Sequence, residues 1–386
     1  MLRKYKKYHK LKVSYLNQHV DFPLLFITIT LILFGLVFMY SSSAYWGEHY
    51  KNDSFFYFKR QLIFTGFGVT MMALFAKYYH KMKFFLKPIY ILIAMWVLLI
   101  IALFSEPIAN VNRWIKLGPI QIQPSEFAKI AILLFIADYL DRHKSKLIKS
   151  PKALLPVIIP VAITIILIGL SPDIGIPALI FLVSLVMLFA AGTKLSHLLI
   201  WTFTVIPFGI YEMFHYQYRW KRLLSFLSFT PDVSNEGYQL SQSFTAIGSG
   251  GLTGMGLGGS KMKLMYLPAG HTDFIFSIIS EEMGFLGTSV IIALFCAILI
   301  RGVRTSVKSW YLHDSILALG ITVTIVMQAF MNMAVSLGLI PTKGMPLPFF
   351  SYGGSSILSS LILMGILLNI TSRQDRLQVL KRSGRN

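Results

Sequence analysis

The residues best placed to do chemistry are a few charges at the edges of long apolar runs. Asp273, in His271-Thr272-Asp273, stands at the mouth of one such run, and Glu281 and Glu282 lie inside it. A carboxylate entering a hydrophobic helix is costly, so each needs a partner, water or a function. If Thr272 or Asp273 caps the helix, the helix dipole keeps the carboxylate ionised and able to take a proton. Ser277, Ser280, Glu281 and Gly284 share the helical spacing of one polar stripe facing a bundle interior. Spacing leaves two readings of Asp273 open: a capping residue without chemistry, or a general base.

A second group precedes another run, in Gln123-Pro124-Ser125-Glu126. Pro124 ends the extended segment and Ser125 is able to cap the helix. Glu126 and Lys129 then share a face at i and i+3. They read either as a simple surface pair or as a cation held ready for an anionic headgroup. Arg113, Trp114 and Lys116 just upstream suit the same anionic partner, with Trp114 as an interfacial anchor. Arg219, Lys221 and Arg222 are equally readable as anchors or as phosphate contacts.

Seven glycines fall between Gly248 and Gly259, Gly250 and Gly251 among them. Gly254, Gly256 and Gly259 spell G-x-G-x-x-G, but no strand–turn–helix unit surrounds them, and Ser260-Lys261 after Gly259 excludes a Walker loop. Such glycines let backbone approach a bulky ligand or let a loop move. The last polar stretch, GLIPTKGMPLPFFSYGGSS, is rich in proline and glycine; Lys343 is its single charge.

The elements that must position these residues are membrane helices. Of 386 residues 55% are hydrophobic and 13% charged, against roughly 25% charged in soluble domains. Apolar runs of spanning length recur at approximately 21–43, 61–79, 84–104, 125–141, 153–170, 174–191, 197–215, 273–300, 315–338 and 356–371. Lipid cannot satisfy exposed backbone, so each run is expected to be helix. The expected fold is all-α with ten transmembrane helices: a basic segment over 1–20, a membrane unit over 21–371, and a basic tail over 372–386. With the N-terminus inside, 24 of the 36 Lys and Arg fall on the inner side, which places both termini in the cytoplasm. The large 216–272 loop, between helices 7 and 8, then faces outward, as do the Ser105–Ser125 and 339–355 loops.

The inner connections are too short for a soluble domain, so any chemistry is expected on the outer face. The net charge of +20 does not indicate nucleic acid, because no binding motif accompanies it. Cys296, the single cysteine, excludes an internal disulfide and a multi-cysteine metal site. Ser41–Ala44 resembles a signal-peptide cleavage region, but the long basic lead-in favours an uncleaved first span. No repeat suggests an inverted-repeat transporter.

Four strings together, NRWIKLGPIQIQPSEFAKI, GYQLSQSFTAIGSGGL, LPAGHTDFIFSIISEEMGFLG and GLIPTKGMPLPFFSYGGSS, resemble the signatures of the SEDS family of FtsW, RodA and SpoVE. The resemblance covers essentially the whole chain. Gly258–Leu267 and Pro341-Thr342-Lys343-Gly344 are more similar to the division members than to the elongation members. Membership implies a peptidoglycan glycosyltransferase that polymerises lipid II into β-1,4 glycan on the outer face of the bacterial cytoplasmic membrane, at the division septum. Asp273 matches the family's essential aspartate, and Glu126 and Lys129 match its QPSEFAK motif. An inverting displacement would use Asp273 as base, with Lys129 and either Arg113 or Arg219 on the departing undecaprenyl diphosphate. A divalent cation, magnesium or manganese, is a candidate helper.

Lys116, His271, Thr272, Gly250, Gly251, Lys343 and Ser351 are the further substrate contacts the resemblance suggests. The implied partners are lipid II, a class B penicillin-binding transpeptidase, other divisome proteins and membrane lipids, with no nucleic acid. Two departures are visible: Ala269-Gly270 stands where LPE-x-HTD is common, and Ser171-Pro172-Asp173-Ile174-Gly175 where Gln-Pro-Asp-Leu-Gly is usual. Three alternatives remain: an elongation polymerase, a lipid II flippase using Glu281 and Glu282, and a scaffold that only recruits the transpeptidase. The mechanism requires Asp273 and Lys129 to share one outer-facing cavity.

Overall fold

The computed structural model describes residues 21–83, 87–107, 111–118, 120–147, 151–171, 173–203, 207, 235–268 and 270–383. The principal helices are α1 (Phe22–Lys51), α2 (Phe56–Met82), α3 (Pro88–Leu103), α4 (Pro124–Leu147), α5 (Leu155–Leu170), α6 (Gly175–Ala190), α7 (Asn235–Gly250), α8 (Ile275–Lys308), α9 (Leu312–Ser336) and α10 (Gly354–Ser383). A further helical stretch covers 195–203, and most of the expected seventh span lies outside the described residues. A two-stranded hairpin, β1 (Ile115–Leu117) and β2 (Ile120–Ile122), leads into α4, with Ile115 opposite Ile122.

Local chemistry sets the helix ends. Asp21 caps α1 by accepting from Leu24 N (3.2 Å) and also pairs with Arg301 of α8. Pro23 sits in the first turn, where its missing N–H costs nothing, and Asn52 closes the helix in the left-handed region. α4 begins two residues earlier than a Ser125 cap would require: Pro124 opens it, and the Ser125 hydroxyl is buried in the first turn without a hydrogen bond. Ser125, expected as the cap, therefore does not cap α4.

Among the described residues six helical segments are long and apolar enough to cross a membrane: Phe22–Lys51, Phe56–Met82, Lys152–Leu170, Ile275–Lys308, Leu312–Ser336 and Gly354–Gln374. Helices α3 and α6 are apolar but only 16 residues long, short of the roughly 20 a straight span needs. The tail read at 372–386 begins inside α10, where Arg373 bonds Asp314 (2.9 Å). α10 lies along α2, pinned by Asn369 donating to the Ala76 carbonyl (2.6 Å).

The span expected over 273–300 is two helices joined at a break. Gly284 has φ 64° and ψ −165°, a conformation open only to glycine without strain. The break frees helical carbonyls and N–H groups, and the glycine loop satisfies them. Met255 N and Gly256 N donate to the carbonyls of Glu281 and Glu282, while Phe285 N and Leu286 N donate to Gly251 and Leu252. The polar stripe expected through Gly284 is thus interrupted there. Beneath the loop, Leu267, Phe274, Ile278 and Val335 form a small separate core that anchors the approach to Asp273.

Candidate active site

Asp273 does not cap α8. The N-cap is Phe274, with no side-chain cap bond, and Asp273 precedes it in an irregular turn. Its backbone carbonyl accepts from Asn332 Nδ2 (2.8 Å), and the same amide donates to Met345 O (2.7 Å). Its carboxylate faces Gly344: a Cβ added there would lie 2.9 Å from Oδ2 and 3.7 Å from Oδ1. Only a residue without a side chain lets the 339–353 loop lie this close to the acid.

That loop is held from three directions and braced within itself. Gln328 Nε2 donates to Pro346 O (3.0 Å), and Leu347 N donates to Ser351 Oγ (2.8 Å). Ser351 Oγ in turn donates to Thr272 O, and Tyr352 N donates to His271 O (3.0 Å). Gln61 of α2 bonds both Ser351 O and Gly353 N (3.2 Å each). Ser351 and Thr272 therefore enter the site through atoms that fix the loop against the turn carrying Asp273.

Lys129 and Glu126 form a pair at 2.7 Å with side chains 2% and 1% exposed, so neither the surface-pair reading nor a free headgroup cation describes them. Lys129 Nζ also donates to Gln328 Oε1 (2.7 Å), and Glu126 Oε2 accepts from Ser359 (3.0 Å). Gln328 and Asn332 lie one turn apart on α9, so one helix face carries Lys129 at one end and the Asp273 backbone at the other. The space lined by Lys129 is about 10 Å³ and is otherwise bounded by α4, α6 and α9, without Asp273.

A carboxylate that the sequence reading passed over completes the cluster. Asp173 Oδ1 accepts from Gly175 N (3.0 Å) and Ile176 N (3.4 Å), capping α6. A Cβ on Gly175 would meet Asp173 Oδ1 at 3.6 Å and Lys343 Cδ at 3.8 Å, so acid and lysine converge across that glycine. Burial pushes the Asp173 carboxyl up, opposed chiefly by the Arg113 charge. Burial pulls the Lys343 ammonium down, opposed by Asp173. Arg113 Nε is buried without a hydrogen bond, and its guanidinium lies 5.9 Å from the Trp114 ring. The visible signal was an aspartate confined between two apolar runs, noted only within the departure at Ser171–Gly175. Gln328, Asn332 and Ser359 carried no local signal, because their roles come from tertiary contacts.

Other expected contacts lie elsewhere. Lys116 pairs with Glu106 (3.0 Å) on the exposed hairpin. Gly250 packs against the Ser280 carbonyl of α8, and Gly251 is exposed with open space around its Cα. Arg219 lies outside the described residues. Glu281 accepts from Ser260 Oγ, Lys261 N (2.9 Å) and Met262 N (3.3 Å). Glu282 accepts from Ser41 Oγ (2.6 Å) and Lys263 Nζ (3.0 Å). Both acids lock the glycine loop onto α8 rather than lining a polar path. Among the described residues no three His, Cys, Asp or Glu converge. These residues by themselves build no cage for a divalent cation.

Residues 22–376 match the model of the FtsW, RodA and SpoVE family, described as "Cell cycle protein". The chain belongs to this family. It is 38% identical over 354 residues to a probable peptidoglycan glycosyltransferase FtsW from Trichlorobacter lovleyi, covering 91% of this chain and 93% of that protein. It is 37% identical over 358 residues to stage V sporulation protein E of Bacillus subtilis, covering 92% and 98%. The fold matches a chain from a structure described as "Structural coordination of polymerization and crosslinking by a peptidoglycan synthase complex", with TM-score 0.75, 25% identity and coverage of 92% and 98%. It also matches the rod shape determining protein RodA of Thermus thermophilus in fold, with TM-score 0.67, 23% identity and coverage of 92% and 97%. With six helices among the described residues long and apolar enough to span, this FtsW/RodA/SpoVE member is a multi-pass membrane protein.

Proposed function

We propose that the chain is a peptidoglycan glycosyltransferase of the division type, polymerising lipid II at the outer face of the bacterial cytoplasmic membrane during septal synthesis. The observation that carries the mechanism is the juxtaposition of the Asp273 carboxylate with the Lys343-Gly344 turn. In this reading ten spans place both termini inside, and the 216–272 and 339–355 loops face outward.

Asp273 takes the proton from the acceptor 4-hydroxyl as that oxygen attacks the donor's anomeric carbon. The bond from that carbon to the lipid diphosphate breaks, with inversion. Lys343 and Arg113 stabilise the departing diphosphate, because they are the cations gathered beside the loop that touches Asp273. Lys129 and Glu126 act as positioning residues: Lys129 holds Gln328, which holds the Pro346 carbonyl. A class B transpeptidase partner would crosslink the product, in keeping with the synthase complex matched in fold.

The test is purified protein with its transpeptidase partner and labelled lipid II in detergent. Glycan polymer is expected from the wild type and not from Asp273→Ala. Polymer made in detergent, where there is no bilayer to cross, separates this reading from a flippase. Undiminished polymer from the variant would end the assignment of the base.

A further inference from the structure

Nothing in the mechanism above uses the aromatic side chains that collect beside Asp273. Trp46 and Tyr50, near the end of α1, stack with ring centroids 5.3 Å apart. Trp46 lies 5.5 Å from the His271 ring, and His271 lies 5.3 Å from Tyr57 and 6.1 Å from Tyr352. Tyr57 and Tyr352 meet edge to face at 5.1 Å. The ladder runs from the exposed ring of Tyr50 inward to a residue two positions before Asp273. Its inner end is bonded into the site through Tyr352 N and His271 O.

Two features set this ladder apart from an ordinary belt of interfacial aromatics. The first is where it sits on the helix. α1 has 30 residues, roughly 45 Å of helix against a hydrocarbon core of about 30 Å. Its apolar stretch ends near Tyr40, so Trp46 and Tyr50 lie on the segment beyond it. The second is orientation: these rings contact one another and His271, which belongs to the turn carrying the acid. Burial holds the His271 imidazole at about 4, so it is uncharged at neutral pH. The path from Tyr50 to Tyr352 thus offers ring faces, phenol and indole donors and no formal charge.

That chemistry suits a pyranose. One face of a hexosamine ring presents C–H bonds that pack on the electron-rich face of an aromatic ring, while its hydroxyl and amide groups find polar edges. A phosphate or a carboxylate would instead seek the Arg113 and Lys343 side. We propose that the Tyr50–Trp46–His271–Tyr57–Tyr352 ladder is the acceptor-saccharide subsite, binding β-1,4-linked N-acetylhexosamine and presenting its terminal hydroxyl to Asp273. This rests on the polymerase reading, which supplies a saccharide acceptor. Trp46 is the specificity-determining ring, and Tyr50 extends the subsite outward.

The test is equilibrium binding of a fluorescently labelled β-1,4-linked N-acetylglucosamine tetramer to the purified full chain in detergent. Wild type is expected to bind saturably. Trp46→Ala should weaken binding at least tenfold, and Trp46→Phe should restore it to within about threefold. Phe104→Ala, which removes an exposed aromatic at another helix end, should change nothing. If Trp46→Ala does not fold, Tyr50→Ala, at the exposed end, should weaken binding several-fold. In polymerisation assays the Trp46 and Tyr50 variants should raise KM for acceptor more than they lower kcat. No saturable binding by wild type, or equal binding by Trp46→Ala, overturns the subsite. A wild type that binds the tetramer but never polymerises lipid II would sink the polymerase reading and leave the subsite standing. A wild type that polymerises with no effect at Trp46 or Tyr50 would do the reverse.

Discussion

Lys129 Nζ lies 2.7 Å from Glu126 Oε2, with both side chains almost wholly removed from solvent. A buried pair of this kind is weak evidence for stability in itself, but removing one partner strands the other charge at a cost of about 3–5 kcal/mol. Lys129→Met and Glu126→Gln should therefore each lower thermal stability in detergent. The double variant should recover much of that loss, yet remain inactive because Gln328 is no longer held. Parallel melting curves and polymerisation rates read both halves; a double variant with wild-type rate would remove these residues from the mechanism.

Asp173 caps α6 and faces Lys343 across Gly175. Asp173→Asn keeps a capping oxygen and removes the charge, so stability should shift by under about 1 kcal/mol while polymerisation falls at least tenfold. Asp173→Ala should lose both. If Asp173→Asn polymerises at the wild-type rate, its charge does not govern Lys343 and Arg113.

Gly344 touches the Asp273 carboxylate. Gly344→Ala puts a methyl 2.9 Å from Oδ2, and a displaced base costs on the order of 10²-fold. The expected result is a large fall in kcat with a nearly unchanged melting temperature. A change confined to KM would mean that the two groups are neighbours without working together.

Much of this was legible locally. Helices occupy the expected intervals that fall in the described residues, since unbroken apolar runs leave backbone no alternative in lipid. The Glu126–Lys129 spacing foretold their pairing, while the glycine cluster, read as room for a bulky ligand or a moving loop, lies against the backbone of α8. What could not be read was partnership across distant segments. The second bond of Lys129 was invisible because its acceptor, Gln328, is 199 residues away. Glu281 and Glu282 suggested a polar path because their partners sit in the preceding loop and in α1. The break at Gly284 escaped notice because a glycine in an apolar run usually stays helical; here the loop at 251–256 supplies the bonds that make opening the helix affordable. Asp173 drew no functional reading because its neighbour Lys343 is distant in the chain.

His271 supplies a pH dependence with a definite sign. Its folded pKa, about 4, lies below the ordinary 6.5 because of burial. The unfolded chain therefore binds a proton between those values and the folded chain does not. Stability from this group is intact above pH 6.5 and is lost as pH falls towards 4, by up to about 3 kcal/mol. Unfolding followed from pH 7.5 to 4.5 should show this loss, and His271→Phe should flatten it. An unchanged slope in that variant would place the titration elsewhere.

The most direct measurement is a single-turnover comparison of wild type and Asp273→Asn, each purified with its transpeptidase partner and saturated with labelled lipid II. Asparagine keeps the shape and the backbone bond to Asn332 but cannot accept the proton, so the rate of forming the first glycosidic bond should fall by about 10²–10⁴ with lipid II binding retained. A first-bond rate equal to wild type would contradict the assignment of Asp273 as the base, and with it the mechanism.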